Sequence, residues 1–177
     1  MGLFSLFGST KNKNLLDLQN LVTDKPYGKL IMSEQQLIKT AYQQASREAE
    51  IMDDCIRILQ STKKPDVFFS RLALLGNKLY RLSQFERHIK FQTTPPSYAF
   101  NVYQREYQEM IHTFLVRYYF DIHEQAETLK TNKAKQNKYQ KFYDSLQPYF
   151  NIMSQQNIEY VSSSFNGAIK ETMERKA

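Results

Sequence analysis

The chain has 177 residues, a formal net charge of +6, one cysteine and no tryptophan. Hydrophobic residues make up 41% and charged residues 24%, which excludes wholesale disorder and is enough to bury a real core in one domain of ordinary size. Five glycines and five prolines are too few for an all-β fold with many tight turns, a single cysteine excludes an intrachain disulfide framework, and no apolar run nears the roughly 18 residues of a membrane span.

The chain opens on MGLFSLFGSTKN, an apolar patch (Leu3, Phe4, Leu6, Phe7) followed by a glycine and polar residues. It has neither the basic stretch nor the longer apolar core of a secretory signal, and Leu6 stands where the myristoylation pattern needs Ser or Thr. The Leu3–Phe7 patch is a weak docking candidate on a terminus expected to be frayed. A short helix is predicted over Asn14–Val22, with Leu15, Leu18 and Val22 on one face, closed by the turn-like Asp24-Lys25-Pro26-Tyr27-Gly28. Residues 1–32 therefore read as an N-terminal tail with a short helix, and residues 33–177 as a helical bundle domain.

Ser33 and Gln36 form a capping-box pattern that opens the first long helix, where Ile38, Ala41, Ala45, Ala49, Met52, Ile56 and Leu59 recur at helical spacing. Pro65-Asp66 breaks the chain, and Asp66 is the predicted N-cap of a second helix running to about Phe91. Phe68, Leu72, Leu75, Leu79, Leu82 and Ile89 form its apolar stripe. Thr94-Pro95-Pro96-Ser97 starts a third helix that runs to about Leu129 and has two apolar stripes. One passes through Phe100, Tyr103, Tyr107, Met110 and Phe114, the other through Ile111, Leu115, Tyr118 and Ile122. A helix apolar on two sides is expected to lie centrally among others. A fourth helix is predicted over Lys133–Leu146, and a last one from Ser154 to about Met173. The expected fold is all-α: a helical bundle of four to five main helices with a long central third helix.

Net charge alternates in sign along the bundle: negative over 33–61, positive over 62–92, negative over 93–129 and positive over 130–147. Neighbouring helices of opposite sign cancel much of the field that a polyanion would feel. The exception is Lys130, Lys133, Lys135, Lys138 and Lys141, with Asp144 the only acid nearby and Tyr139 and Tyr143 interleaved. Basic residues with aromatics between them can track a phosphate backbone and stack bases, so Lys130, Lys133, Lys138, Lys141 and Tyr139 are the candidate polyanion-binding residues. The plainer reading is a solvated helix face whose aromatics point into the core.

Catalytic patterns are incomplete. Glu109-Met110-Ile111-His112 is one Glu-x-x-His element, whereas a di-iron site needs two such elements and two further carboxylates. His88 and His123 have no Glu three residues before them, and His123-Glu124 lacks the closing histidine of a zinc helix motif because Glu127 stands there. His112 and His123 lie about 16 Å apart along one helix and cannot share an ion. Cys55 reads as a small core hydrophobe. No metal, no cofactor and no catalytic residue are expected, and the chain reads as leaning away from an enzyme. Charges that interrupt apolar stripes are more informative: Glu86 on the second helix, Arg117 and Asp121 on the third. With Arg71 they form either an internal ion-pair network or a polar groove for a ligand, because a buried unpaired charge is costly.

Two segments, KPDVFFSRLALLGNKLYRLSQFERHIKF (Lys64–Phe91) and FLVRYYFDIHEQAETLKTNKAKQNKYQKFYDSL (Phe114–Leu146), resemble a family of small bacterial helical proteins that has no assigned activity. The shared pattern is an FFxR helix opening after an aspartate, an aromatic-Glu pair before an IKF-like end, and a KTxKxxxN basic segment. The resemblance covers about half the chain and implies a bacterial or phage-borne intracellular protein; it transfers no site residue. The single cysteine likewise suits a reducing, cytoplasmic compartment. Three functions stay open. The leading one is a non-catalytic helical protein acting through protein–protein contact or self-association. The others are a nucleic-acid or anionic-surface binder through Lys130–Lys141, and an enzyme or small-ligand binder with a polar groove near Glu86 and Arg117.

Overall fold

A computed structural model describes residues 3–91 and 95–174, with side chains from residue 11 onward. The Leu3–Phe7 docking patch thus lies outside the residues with described side chains. The elements are α1 (Leu3–Thr23), α2 (Glu34–Ser61), α3 (Pro65–Glu86), α4 (Pro96–Glu127), α5 (Asn132–Leu146), a 3-10 turn (Gln147–Ile152) and α6 (Gln155–Glu174). The described residues contain no strand, so the fold is all-α. None of these helices is long and apolar enough to cross a membrane. The chain divides into two compact units, one of Met1–Gln60 with Ser70–Tyr103, the other of Ser61–Phe69 with Gln104–Ala177.

Most helix boundaries follow the local chemistry. Ser33 and Gln36 close the expected capping box: Ser33 N donates to Gln36 Oε1 at 3.0 Å and Gln36 N donates to Ser33 Oγ at 3.3 Å. α3 begins at Pro65, where a missing N–H costs nothing, and Asp66 falls in the first turn instead of being the N-cap. Its end comes at Glu86, before the expected Phe91. The long helix α4 is 32 residues, and its Ser97 N–H is met by the Glu86 carboxylate at 2.9 Å, which satisfies an orphan donor at a positive helix end. Thr131 caps α5 through Ala134 N at 3.2 Å, so Lys130 lies outside that helix.

In the first unit, Leu18 and Val22 of α1 pack with Leu37, Ala41 and Ala45 of α2, Leu82 and Phe85 of α3, and Ile89. α1 starts at Leu3 instead of near Asn14, and its Leu18 and Val22 share in this core. Gln19 of the same helix is fully buried. Its Nε2 donates to Lys29 O at 3.0 Å, while its Oε1 accepts from Ile31 N at 2.7 Å and Met32 N at 3.1 Å. One side-chain amide thereby replaces water for three backbone groups of the α1–α2 connection. Asp24 ends α1 with φ 53°, a left-handed conformation that Asp tolerates better than most residues. Between α3 and α4, Gly76 leaves room for Tyr103, whose hydroxyl would lie 2.7 Å from an added Cβ and donates to Leu72 O at 2.9 Å.

The second unit is built on aromatic contacts. Phe68 stacks on Phe114 with centroids 4.0 Å apart, and Phe69 stacks on Tyr149 at 4.2 Å. Buried Phe165 of α6 sits among Tyr118, Tyr119, Tyr139 and Tyr143 at 5.3–6.5 Å. Of the two stripes on α4, Ile111, Leu115, Tyr118 and Ile122 are buried together with Phe114, whereas Phe100, Tyr103, Tyr107 and Met110 are half-buried. Burial pushes the Tyr118 hydroxyl up to about 12; nearby Asp121 and Asp66 add to the rise, and its hydrogen bond to Ser145 opposes it.

Replacing Gln19 by Leu keeps the volume and orphans Lys29 O, Ile31 N and Met32 N. A urea melt should show a loss of about 2 kcal/mol or more, since each buried group left unsatisfied costs about 1–3 kcal/mol. Tyr118 gives a separate expectation. The folded chain holds its proton to about pH 12, while the unfolded chain ionises near the ordinary value of about 10. The unfolded state therefore binds fewer protons in that window, and stability falls as pH rises from about 10 to about 12. Tyr118→Phe should flatten this alkaline slope, read by denaturant melts at stepped pH.

Candidate functional site

Among the described residues the buried charge is one that the apolar rhythm of α2 skips. Glu48, 9% exposed on the core side of α2, bonds Lys78 Nζ through Oε2 at 2.6 Å and Arg81 Nε through Oε1 at 3.2 Å. Arg81 also grips Asp24 at both oxygens, 2.9 and 3.1 Å, and reaches Gln44 Oε1 at 3.4 Å. Gln44 in turn donates to Val22 O at 2.7 Å. The end of α1, the middle of α2 and α3 are joined by this one network. Glu48 escaped notice because Ala45, Ala49 and Met52 on either side suggested a rhythm that skips it.

The four charges singled out from the sequence have these partners. Glu86 caps α4, as described above. Arg71 faces Cys55 and hydrogen-bonds its thiol. In the second unit Arg117 Nη2 donates to Thr62 O at 3.1 Å with its guanidinium 6.0 Å from the Phe114 ring centre. Asp121 pairs with Lys63 and accepts from Gln125 Nε2 at 2.7 Å. Arg117 and Asp121 thus hold the Thr62–Lys63 segment that precedes α3.

The lysine segment is divided in its employment. Lys135 bonds Glu127 at 2.8 Å, and Lys138 lies 5.7 Å over the Phe142 ring. Lys130, Lys133 and Lys141 are exposed. Tyr139, interleaved with these lysines in the sequence, is 1% exposed, with its hydroxyl 2.8 Å from His123 Nδ1.

His112 is held from behind. Asn157, 2% exposed, donates through Nδ2 to Gln108 O and Gln108 Oε1, both at 3.1 Å. Its Oδ1 is therefore the acceptor 3.1 Å from His112 Nδ1, which places the imidazole proton on Nδ1. Gln108 Oε1 also accepts from Ser154 N at 2.8 Å, so this polar group sets the start of α6 against α4. Glu109 is exposed, and among the described residues no group of three or more His, Cys, Asp and Glu side chains is placed to hold a metal ion. Cys55 is fully buried, and burial raises its thiol pKa, with the Arg71 charge opposing. Burial lowers the His88 pKa, while Asp17 acts to raise it.

Two cavities of the first unit border both α3 and the start of α4. The first, about 320 Å³, borders Tyr80, Ser83, Gln84, Glu86, Arg87, Ser97, Phe100 and Asn101. Tyr80 is 55% exposed with its ring 5.8 Å from Phe100. Phe100 belongs to an apolar stripe of α4, whereas Tyr80 falls off the Leu75, Leu79, Leu82 rhythm of α3. The second, about 430 Å³, lies among α2, α3 and the start of α4. No protein-family model, curated protein or solved structure matches this chain.

The network around Glu48 has a clear signature. Lys78→Met with Arg81→Met strands the carboxylate in the core and should cost about 3–5 kcal/mol, as breaking a buried pair typically does. Adding Glu48→Leu to that pair should recover much of the loss in a denaturant melt. Without recovery, the three side chains are not energetically coupled.

Proposed function

We propose that this chain is a non-catalytic helical protein that acts through contact with a protein partner or with a second copy of itself. The observation that carries the reading is the α3–α4 face of the first unit. There, exposed Tyr80 lies against half-buried Phe100, with Arg87, Gln84 and Asn101 beside them. Tyr and Arg dominate the energetics of protein contacts because they combine large contact area with directional hydrogen bonding, and amides supply the polar rim. The reading includes the expected bundle of four to five main helices with a long central helix, supported by α4 lending residues to both units. It also takes the chain as bacterial or phage-borne and cytoplasmic, on the resemblance of its two segments and its single cysteine.

A photo-crosslinking residue at position 80 in the full chain tests this. Covalent capture should give a band with a second copy or with one protein of the native host, and Arg87→Glu should remove it without moving the melting midpoint. Chain that sediments as a monomer at every concentration and gives no crosslink at position 80 overturns the reading.

The alternative, an anionic partner, draws on exposed Lys130, Lys133 and Lys141. On that alternative, binding to DNA, RNA or anionic vesicles at about 50 mM salt falls steeply as salt rises, since each phosphate contact releases counterions. Lys133→Glu, Lys138→Glu and Lys141→Glu together should abolish it. Flat titrations with the wild-type chain remove this alternative and leave the contact reading in place.

A further inference from the structure

α2 is apolar on two faces, and only one of them is in the core. Leu37, Ala41, Ala45, Cys55 and Leu59 are buried, whereas Ile38 and Met52 are half-buried and Tyr42, Ala49 and Ile56 are exposed. Sequence periodicity merges these into one stripe, because the two faces are adjacent around the helix. The second face forms one wall of the 430 Å³ cleft. Ala45 and Leu82 make its buried floor, and Tyr42, Met52, Phe91 and Ala99 stand around it. The space exists because alanines at 45, 49 and 99 project only a methyl group into it. Tyr42 donates its hydroxyl to Lys90 O at 2.8 Å, which ties α2 to the segment carrying Phe91 and holds the walls apart at a set width.

We propose that this cleft is a binding site for a small, neutral, largely apolar molecule, of the size of a fused bicyclic aromatic or a medium-length aliphatic alcohol. Two features set the ligand class. Among the described residues no charged side chain lines the cleft, so an ionic ligand would lose hydration with no partner among them to replace it. The volume falls within the 300–1,000 Å³ range of ordinary small-ligand sites, and a dry cavity of only about 150 Å³ already holds benzene. Among the described residues Ser46 is the one hydroxyl in the lining besides Tyr42, and it is the group placed to meet a single ligand hydroxyl or carbonyl. This site is separate from the Tyr80 face and stands without the contact reading.

The test uses the full chain and the fluorescent probe N-phenyl-1-naphthylamine. Its fluorescence should rise saturably at one probe per chain, and 1-decanol should displace it. Decanoate, of equal length but charged, should displace it at least tenfold more weakly. Ala49→Phe and Ala99→Leu, made separately so that one poorly folded variant does not decide the matter, should each weaken probe binding tenfold or more at an unchanged melting midpoint. Tyr80→Asp should leave probe binding as it is. Non-saturable fluorescence, equal displacement by decanol and decanoate, or binding indifferent to both alanine variants overturns the proposal. So does loss of self-association in Ala49→Phe with no probe binding in the parent chain, which would make the cleft a protein contact.

Discussion

A carboxylate in the middle of a core-facing helix constrains the first unit more than any apolar contact does. Positive charge meets both oxygens of Glu48 there, and burying a lone carboxylate without such partners costs several kcal/mol. Lys78 and Arg81, one turn apart on α3, supply that charge. Arg81 passes the constraint on to Asp24, at the left-handed residue that ends α1. Apolar packing alone would let these helices slide along each other at little cost. A set of directional ion pairs does not, since a shift of one turn would unpair several charges at once.

The polar pins elsewhere obey the same rule on a neutral scale. Gln19 and Asn157 are both buried amides, and both are spent on backbone and side-chain groups at helix connections. Gln19 secures the α1–α2 connection, and Asn157 joins α6 to Gln108 and His112 of α4. Between such pins the second unit fills its interior with rings. Edge-on and offset contacts around Phe165 suit a core with many hydroxyl-bearing tyrosines, because each ring can bury its face while its oxygen finds a partner. Tyr118 with Ser145 and Tyr139 with His123 are the two clearest cases.

For function, the distribution of polar chemistry matters more than its amount. Two of the three histidines and the buried thiol are occupied or shielded: His112 by Asn157, His123 by Tyr139, Cys55 by the core and Arg71. Charges with structural partners are thereby withdrawn from chemistry, while the aromatic and apolar groups of the α3–α4 face and of the α2 cleft remain open.

Much of this was legible in the sequence. Helical class, the capping box at Ser33, the break at Pro65 and the lysine-rich face of α5 follow from rules that act within a few residues: periodicity, proline sterics, side-chain capping. Such rules need no knowledge of what lies across the fold. Which of two adjacent stripes on α2 or α4 enters the core was not legible, because periodicity locates an apolar arc without saying where a neighbour covers it. Nor was the choice of Glu48 as the buried charge, since its partners lie 30 and 33 residues away on another helix. Nor was the part that α1 takes in this core, since Gln19 acts on backbone groups of the connection that follows it. The sequence by itself determined the helical class and the breaks before Pro65 and Pro96. Only the tertiary structure decided which charges are buried and which apolar faces stay open, because burial depends on what other helices bring to a site.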